Sequence, residues 1–141
     1  METLAAATFG AAFNFYRDGA GADVRRARLR AYLESRGDAP LLLVGEAPGY
    51  RGARVSGVPF TSERLPGRPD TSRRPTGAEI EAGRPFLTAL AHGRRVVAVG
   101  RVAGAALGLP SIRHPSRGGA AAFREGLLQS AVGGRVVRRF F

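Results

Sequence analysis

The chain has 141 residues, of which 44% are hydrophobic, so it is long enough for one domain with a modest core and too apolar to be disordered. It contains no cysteine, which excludes disulfides, thiolate zinc sites and iron–sulfur clusters built from this chain. No apolar run approaches the roughly 18 residues of a membrane helix, and the first ten residues lack the basic start of a signal peptide. We therefore expect a cytoplasmic protein without a membrane partner.

The formal net charge is +11, and all 22 basic residues are arginine. A genome biased toward arginine codons is the simplest explanation for the absence of lysine. The excess of positive charge is a separate matter, because it predicts attraction to a polyanion with an affinity that falls as salt rises. Composition alone favours nucleic acid only modestly over a well-solvated surface.

The first half of the chain predicts one helix, one strand and a long loop. Asp23 is a candidate N-cap for a helix that runs to about residue 36. The apolar residues expected on one face of this helix, opposite the arginines, are Val24, Ala27, Ala31 and Tyr32. Residues 41–44 are a short apolar strand of the kind buried on both faces. Residues 46–75 show no helical or strand period, and 50–75 in particular predict a loop that is unusually long unless it is functional or mobile.

The second half alternates helices with strands. Thr76 and Glu79 predict a capping box at the start of a helix, in which Gly83 and Pro85 favour a kink or a restart. The remaining predicted elements are a buried strand at 96–99, a helix at 101–107, a strand at 111–113, a helix at 119–130 and a strand or loose tail at 131–141. This alternation predicts a single α/β domain over residues 1–141, a three-layer α/β/α sandwich with a short parallel sheet.

Two loops that follow predicted strands carry the candidate chemistry. Gly45-Glu46-Ala47-Pro48-Gly49 follows the first strand, and His114-Pro115-Ser116 follows the third. Gly57-Val58-Pro59-Phe60-Thr61 lies in the long loop between them. Side chains at the carboxyl ends of strands in open α/β sheets project into the crevice where such sheets bind ligands.

Together and in this order, these motifs resemble the uracil-DNA glycosylase superfamily. The resemblance covers roughly residues 13–65 and 73–128, and the absence of cysteine points to branches without an iron–sulfur cluster. It implies a reduced form of that fold and a monofunctional base-excision repair enzyme, which hydrolyses the N-glycosidic bond of uracil or a related deaminated base in DNA. The product is an abasic site, and no cofactor or metal is implied. Because the chain has no lysine, lyase chemistry through a lysine Schiff base is excluded.

The resemblance also implies roles for residues of the first two motifs. Glu46 would orient or activate water or stabilise the oxocarbenium-like sugar, and the alternative is a loop carboxylate that caps nearby amides. Ala47, Pro48 and Gly49 would form a tight turn whose amides approach the base. Phe60 would stack on the flipped base, and the alternative is a core phenylalanine.

The third motif is expected to hold the departing base and the DNA backbone. His114 would donate to the base carbonyl as negative charge builds on it. Ser116 and the amides of Gly118 and Gly119 would grip a phosphate at the start of the last helix, and Arg117 would add charge or probe the minor groove. A nonspecific anion site is the alternative for this cluster.

The resemblance breaks between Leu65 and Arg73. Relatives carry a helix and a second strand there, and that strand ends in an asparagine that reads the edge of the base. The only asparagine in this chain is Asn14. In the family sheet the missing strand lies at an edge, beside the strand that matches residues 41–44. Its loss leaves an exposed edge that invites dimerisation, unless residues 135–141 cover it.

Three alternatives follow from this break. The chain is a compact working glycosylase of altered base preference, a degenerate member that binds DNA without excision, or an internally deleted product that folds poorly. Retention of Glu46, Phe60 and His114 favours the first. The missing asparagine favours the other two. The expected partner is DNA, single- or double-stranded, and the chain is a monomer or a dimer through the exposed sheet edge.

Overall fold

The structure is a computed structural model that describes residues 1–46, 52–61, 73–116, 118–132 and, for the backbone alone, 138–139. Its elements in chain order are α1 Glu2–Ala6, α2 Ala22–Ser35, β1 Leu41–Val44, α3 Ala53–Ser56, α4 Gly77–Ala91, β2 Arg95–Val99, α5 Arg101–Leu107, β3 Ser111–Ile112, α6 Ala120–Val132 and β4 Arg138–Arg139. The predicted mixture of helices with a small parallel sheet is confirmed. The finer prediction of a three-layer sandwich stays a prediction.

The described residues divide into two compact units. Those within 1–38 and 47–86 form the first unit, and those within 39–46 and 87–141 form the second. The first unit therefore contains α1, α2, α3 and most of α4, and the second contains the sheet with α5 and α6. The prediction of a single domain over 1–141 is not tested by this division and stays a prediction.

The packing face of α2 differs from the one predicted. Val24 and Tyr32 are exposed at 47% and 40%, whereas Leu29 is buried. Arg25 and Arg26 are half-buried on the face that carries Leu29. The helix begins after Gly21, which makes no side-chain cap, so the prediction that Asp23 caps it is wrong.

Hydrogen bonds to carbonyl groups of the preceding segment explain why the face of α2 that carries arginines is the buried one. The Arg25 guanidinium donates to the carbonyls of Phe15, Asp18 and Ala20 at 2.6, 3.1 and 3.0 Å, and Arg26 donates to that of Tyr16 at 2.6 Å. Hydrogen bonds from charged groups are worth about 1.5–3 kcal/mol each, so this set outweighs the roughly 1.5–3 kcal/mol from burying one valine. Arginine, not an apolar stripe, fixes how α2 packs.

One of the local predictions for α4 is confirmed and another is wrong, and the long loop contains a helical turn that was not predicted. The capping box is confirmed, because the Glu79 amide donates to Thr76 Oγ1 at 3.3 Å and the Thr76 amide donates to Glu79 Oε2 at 2.8 Å. The helix continues through Pro85 to Ala91, so of the predicted kink or restart the restart is wrong, and the kink stays a prediction. Within the predicted loop 50–75, residues 53–56 form one helical turn, α3, which was not expected.

The second unit is organised around β2. The strand order is β1-β2-β3, all parallel, with Val44 opposite Ala98 and Val99 opposite Ile112. Residues 96–99 are fully buried, as the apolar run predicted. Residues Val97, Val99 and Ile112 form the core, and Leu41, Leu43, Phe123 and Leu127 pack against it. β1 thus lies on one side of β2 and β3 on the other.

Residues 138–139, the described part of the segment after α6, do not cover the β1 edge. β4 pairs antiparallel with β2, with Arg139 opposite Arg95 and Arg138 opposite Val96. Since β1 occupies the other side of those residues, β4 lies on the β3 side of β2. Within the predicted loose tail at 131–141, α6 continues to Val132 and residues 138–139 form a short strand. These described residues of the tail do not shield β1, and the other residues from 133 to 141 lie outside the described residues.

Candidate active site

Glu46 and His114 lie at the same edge of the sheet, within the second unit. Glu46 follows β1 by two residues and His114 follows β3 by two residues, and both strands run parallel to β2. The last paired residues of the two strands are Val44, opposite Ala98, and Ile112, opposite Val99. Because β1 and β3 flank β2, the two strands lie about 10 Å apart, two strand spacings. Both strands therefore end at the same edge of the sheet, and the roles that the resemblance implies for Glu46 and His114 stay predictions.

Ser116 determines which nitrogen of His114 can act as a donor. The Ser116 backbone N–H donates to His114 Nδ1 at 3.1 Å, and Ser116 Oγ lies 2.8 Å from the same nitrogen. An amide N–H can only donate, so Nδ1 accepts and carries no proton in the neutral ring. The proton of neutral His114 therefore lies on Nε2, which becomes the ring donor.

The turn after His114 is compact because Gly119 packs against it. A Cβ on Gly119 would lie 2.1 Å from the His114 carbonyl oxygen, far inside contact distance. The Gly119 amide donates to the Ser116 carbonyl at 3.1 Å, and α6 starts at the next residue. Ser116 and Gly118 are exposed, whereas Gly119 is buried. Ser116 and Gly119 therefore hold His114 in place, in addition to the phosphate contacts that the resemblance implies for them.

Glu46 is exposed just beyond the strand end. Within the described ranges, no side chain or backbone amide forms a hydrogen bond or an ion pair with its carboxylate. The alternative, in which Glu46 caps nearby amides, is not tested, because residues 47–51 lie outside the described residues. A solvent-accessible carboxylate at a strand end is able to bind and orient a water molecule.

Phe60 lies in the first unit, at the end of a turn that follows α3. It is 46% exposed, so it is not a core residue, and its backbone has a φ of 58°. A bulky residue in the left-handed region is uncommon and is a reason to look for function. The turn is held by the Ser56 hydroxyl, which accepts from the Val58 amide at 3.0 Å, and by Thr61 Oγ1, which donates to the Val58 carbonyl at 2.7 Å.

Two contacts from the N-terminal region fix the start of this turn. The Tyr16 hydroxyl donates to the Gly57 carbonyl at 2.9 Å, and burial raises the pKa of that phenol above its ordinary value despite the opposing effect of Arg25. Gly57 has a φ of 79°, and a Cβ there would lie 2.7 Å from the Arg25 carbonyl oxygen. Only glycine fits between α2 and the turn that presents Phe60.

Four of the predicted site residues lie outside the described residues. They are Ala47, Pro48 and Gly49 of the first motif and Arg117 of the third. Sequence reasoning missed the interaction between Ser116 and His114. The signal was present, since a serine two residues after a histidine is spaced for its backbone amide and hydroxyl to reach the ring.

Neither a metal site nor a membrane span is evident in the described part of the chain. No group of three or more histidine, aspartate or glutamate side chains there is close enough to hold a metal ion. No helix among those residues has the length and apolar character needed to cross a membrane.

Several arginines bind backbone carbonyls and are thus part of the structure. Besides Arg25 and Arg26, Arg94 donates to the carbonyls of Ala39 and Leu90, and Arg95 donates to that of Ala131. These hydrogen bonds do not change the formal net charge of the chain, which is +11.

Comparisons with protein-family models, with curated proteins and with solved structures find no match to this chain.

Proposed function

We propose that this chain is a DNA glycosylase of the uracil-DNA glycosylase type, which removes uracil or a related deaminated base and leaves an abasic site. The observation that carries the proposal is that Glu46 and His114 follow β1 and β3, which flank β2 and end at one carboxyl edge of a parallel sheet. The fold that goes with this function is a reduced three-layer α/β/α sandwich.

Hydrolysis of the glycosidic bond needs help at both ends of that bond. A water oxygen attacks C1′ of the sugar while the base departs with the bonding electrons, so negative charge develops on the base carbonyl. Glu46 orients the water and stabilises the positive charge on the sugar. His114 donates from Nε2 to the base carbonyl, and the amide of Ser116 keeps the other ring nitrogen an acceptor. A single preorganised donor of this type accounts for about 100- to 1,000-fold in rate.

Phe60 is proposed to stack on the flipped base. Its exposure and its left-handed backbone support this role, because neither is expected of a core phenylalanine. Binding to the DNA backbone is assigned to the excess arginines and to the turn of Ser116, Arg117, Gly118 and Gly119 before α6. The Ser116 hydroxyl already contacts His114, so its phosphate role is shared with that of orienting the ring.

The test is excision from a labelled single-stranded oligonucleotide that contains one uracil, followed by alkali cleavage at abasic sites. We expect His114→Ala and Glu46→Ala to lower cleavage by at least about 100-fold while DNA binding is spared. His92→Ala is the matched control, because His92 is the only other histidine and is exposed. Cleavage at the wild-type level by both site variants would refute the assignment of Glu46 and His114 to the active site.

A second function, DNA binding without excision, is favoured by one observation. The segment 66–72 and its neighbours contain no asparagine to read the edge of a base. A site that lacks this hydrogen-bonding pair discriminates poorly among bases. Salt-sensitive binding with no cleavage of uracil, or of other deaminated bases in the same assay, would identify this second function.

A further inference from the structure

An aromatic surface with one arginine lies in the first unit, apart from the residues already assigned to chemistry. Phe13 and Phe15 are 5.3 Å apart between ring centroids, tilted by 52°, and the Arg54 guanidinium lies 5.6 Å from the centroid of the Phe15 ring. Phe13 is 53% exposed. We call Phe13, Phe15 and Arg54 the aromatic–arginine surface.

The backbone that carries these rings is held firmly. The Phe15 carbonyl accepts from Arg25 at 2.6 Å. The Asn14 side chain is buried and donates to the carbonyls of Leu4 and Ala7 at 2.9 and 3.0 Å. The Phe13 ring rests across Gly19, where a Cβ would meet its Cζ at 3.1 Å. A half-exposed ring on a fixed backbone loses little entropy on binding, which is what a preformed binding surface requires.

We infer that the aromatic–arginine surface binds an unpaired base of single-stranded DNA. Every base has a π face, and aromatic rings with arginine are the side chains that stack on bases without reading sequence. The charge around the surface fits a polyanion, since residues 13–30 contain five arginines and two aspartates. A paired base in a duplex has no face open to such a ring, so the surface selects single strands.

This inference rests on the proposed function for its choice of DNA, and it deepens that function by naming the form of the substrate. Arg54 and Phe60 belong to one described segment, 52–61, so the subsite and the proposed base-stacking residue are six residues apart in the chain.

The test compares two fluorescein-labelled decamers that carry the same number of phosphates, decathymidylate and a decamer of tetrahydrofuran abasic sites. Fluorescence anisotropy with the full chain gives the affinity for each over a series of salt concentrations. Phe13→Leu keeps apolar volume over Gly19 and removes the aromatic face. Since only half of the ring is open, we expect it to weaken decathymidylate binding by about 5- to 10-fold, at the lower end of base–aromatic stacking. The abasic decamer and the slope of affinity against salt should not change.

Phe13→Tyr retains the ring and should bind like the wild type. Leu128→Ala removes an exposed side chain of the second unit and serves as the matched control. Equal wild-type affinity for the two decamers, or equal weakening of both by Phe13→Leu, overturns the inference. The inference is also overturned if the wild type prefers decathymidylate and Phe13→Leu retains that preference. It is overturned as well if Phe13→Leu weakens binding to a blunt duplex by the same factor.

The decamers contain no uracil, so this result is independent of excision. A Phe13-dependent preference in a protein that cleaves no uracil DNA would keep the subsite and refute the glycosylase. Uracil excision by a protein that shows no such preference would refute the subsite and keep the glycosylase.

Discussion

Substitution of Gly119 by alanine gives a sharp test of how His114 is held. The new Cβ would lie 2.1 Å from the His114 carbonyl oxygen and 3.1 Å from the Arg113 side chain. Since Cβ atoms essentially never approach another heavy atom within 3.0 Å, the two backbones must separate by about 1 Å. We expect this overpacking to lower the free energy of unfolding by about 1–3 kcal/mol.

The same displacement should affect chemistry more than binding. A misplacement of about 1 Å at a reacting group can cost about 100-fold in rate, because the group no longer meets the substrate in a reactive geometry. We therefore expect Gly119→Ala to lower uracil excision by about 100-fold at temperatures where it remains folded. Nitrogen chemical shifts of the imidazole should also report loss of the Nδ1 acceptor, whether or not the chain is an active enzyme.

Gly83→Ala is the control for Gly119→Ala. Gly83 lies within α4, where a Cβ meets nothing within 4 Å, so alanine should stabilise the helix by about 0.5–1 kcal/mol and leave excision unchanged. Thermal unfolding by circular dichroism and the alkali-cleavage assay measure both effects. A Gly119→Ala protein with wild-type stability and an unchanged imidazole spectrum would refute the close packing of this turn.

Three further predictions concern stability, each read from thermal unfolding. Asn14→Asp should destabilise by more than Asn14→Ala, because a carboxylate would face the carbonyls to which the amide now donates, and an equal loss would contradict this. Tyr16→Phe should cost about 1 kcal/mol by removing the hydrogen bond to Gly57, with no loss expected if that bond is absent in solution. The hydrogen bond from Arg73 lowers the pKa of Glu79 to about 2, so its ion pair stabilises α4 above pH 4.5 and is lost as the pH falls from 4.5 towards 2. Glu79→Gln should flatten the pH dependence in that window, and an unaltered acid profile would show that the pair contributes nothing.

Elements with local signals were predicted from the sequence. The buried strand at 96–99 and the capping box of Thr76 and Glu79 are confirmed, because an apolar run and a three-residue spacing carry the information within a few positions. The order of the motifs also predicted that Glu46 and His114 follow two parallel strands. Because the carboxyl ends of parallel strands lie at the same edge of the sheet, the sequence was sufficient to predict that both residues lie at that edge.

Tertiary structure decided the rest, because the deciding partners lie in other segments. The apolar stripe of α2 is exposed because Arg25 and Arg26 donate hydrogen bonds to carbonyls five to ten residues away. The helical periodicity of the sequence does not predict those hydrogen bonds. The left-handed backbone of Phe60 depends on a turn fixed against α2 through Gly57. The sequence by itself determined an α/β chain with two candidate groups at a sheet edge. The tertiary contacts decided which arginines are structural and how the groups at that edge are held.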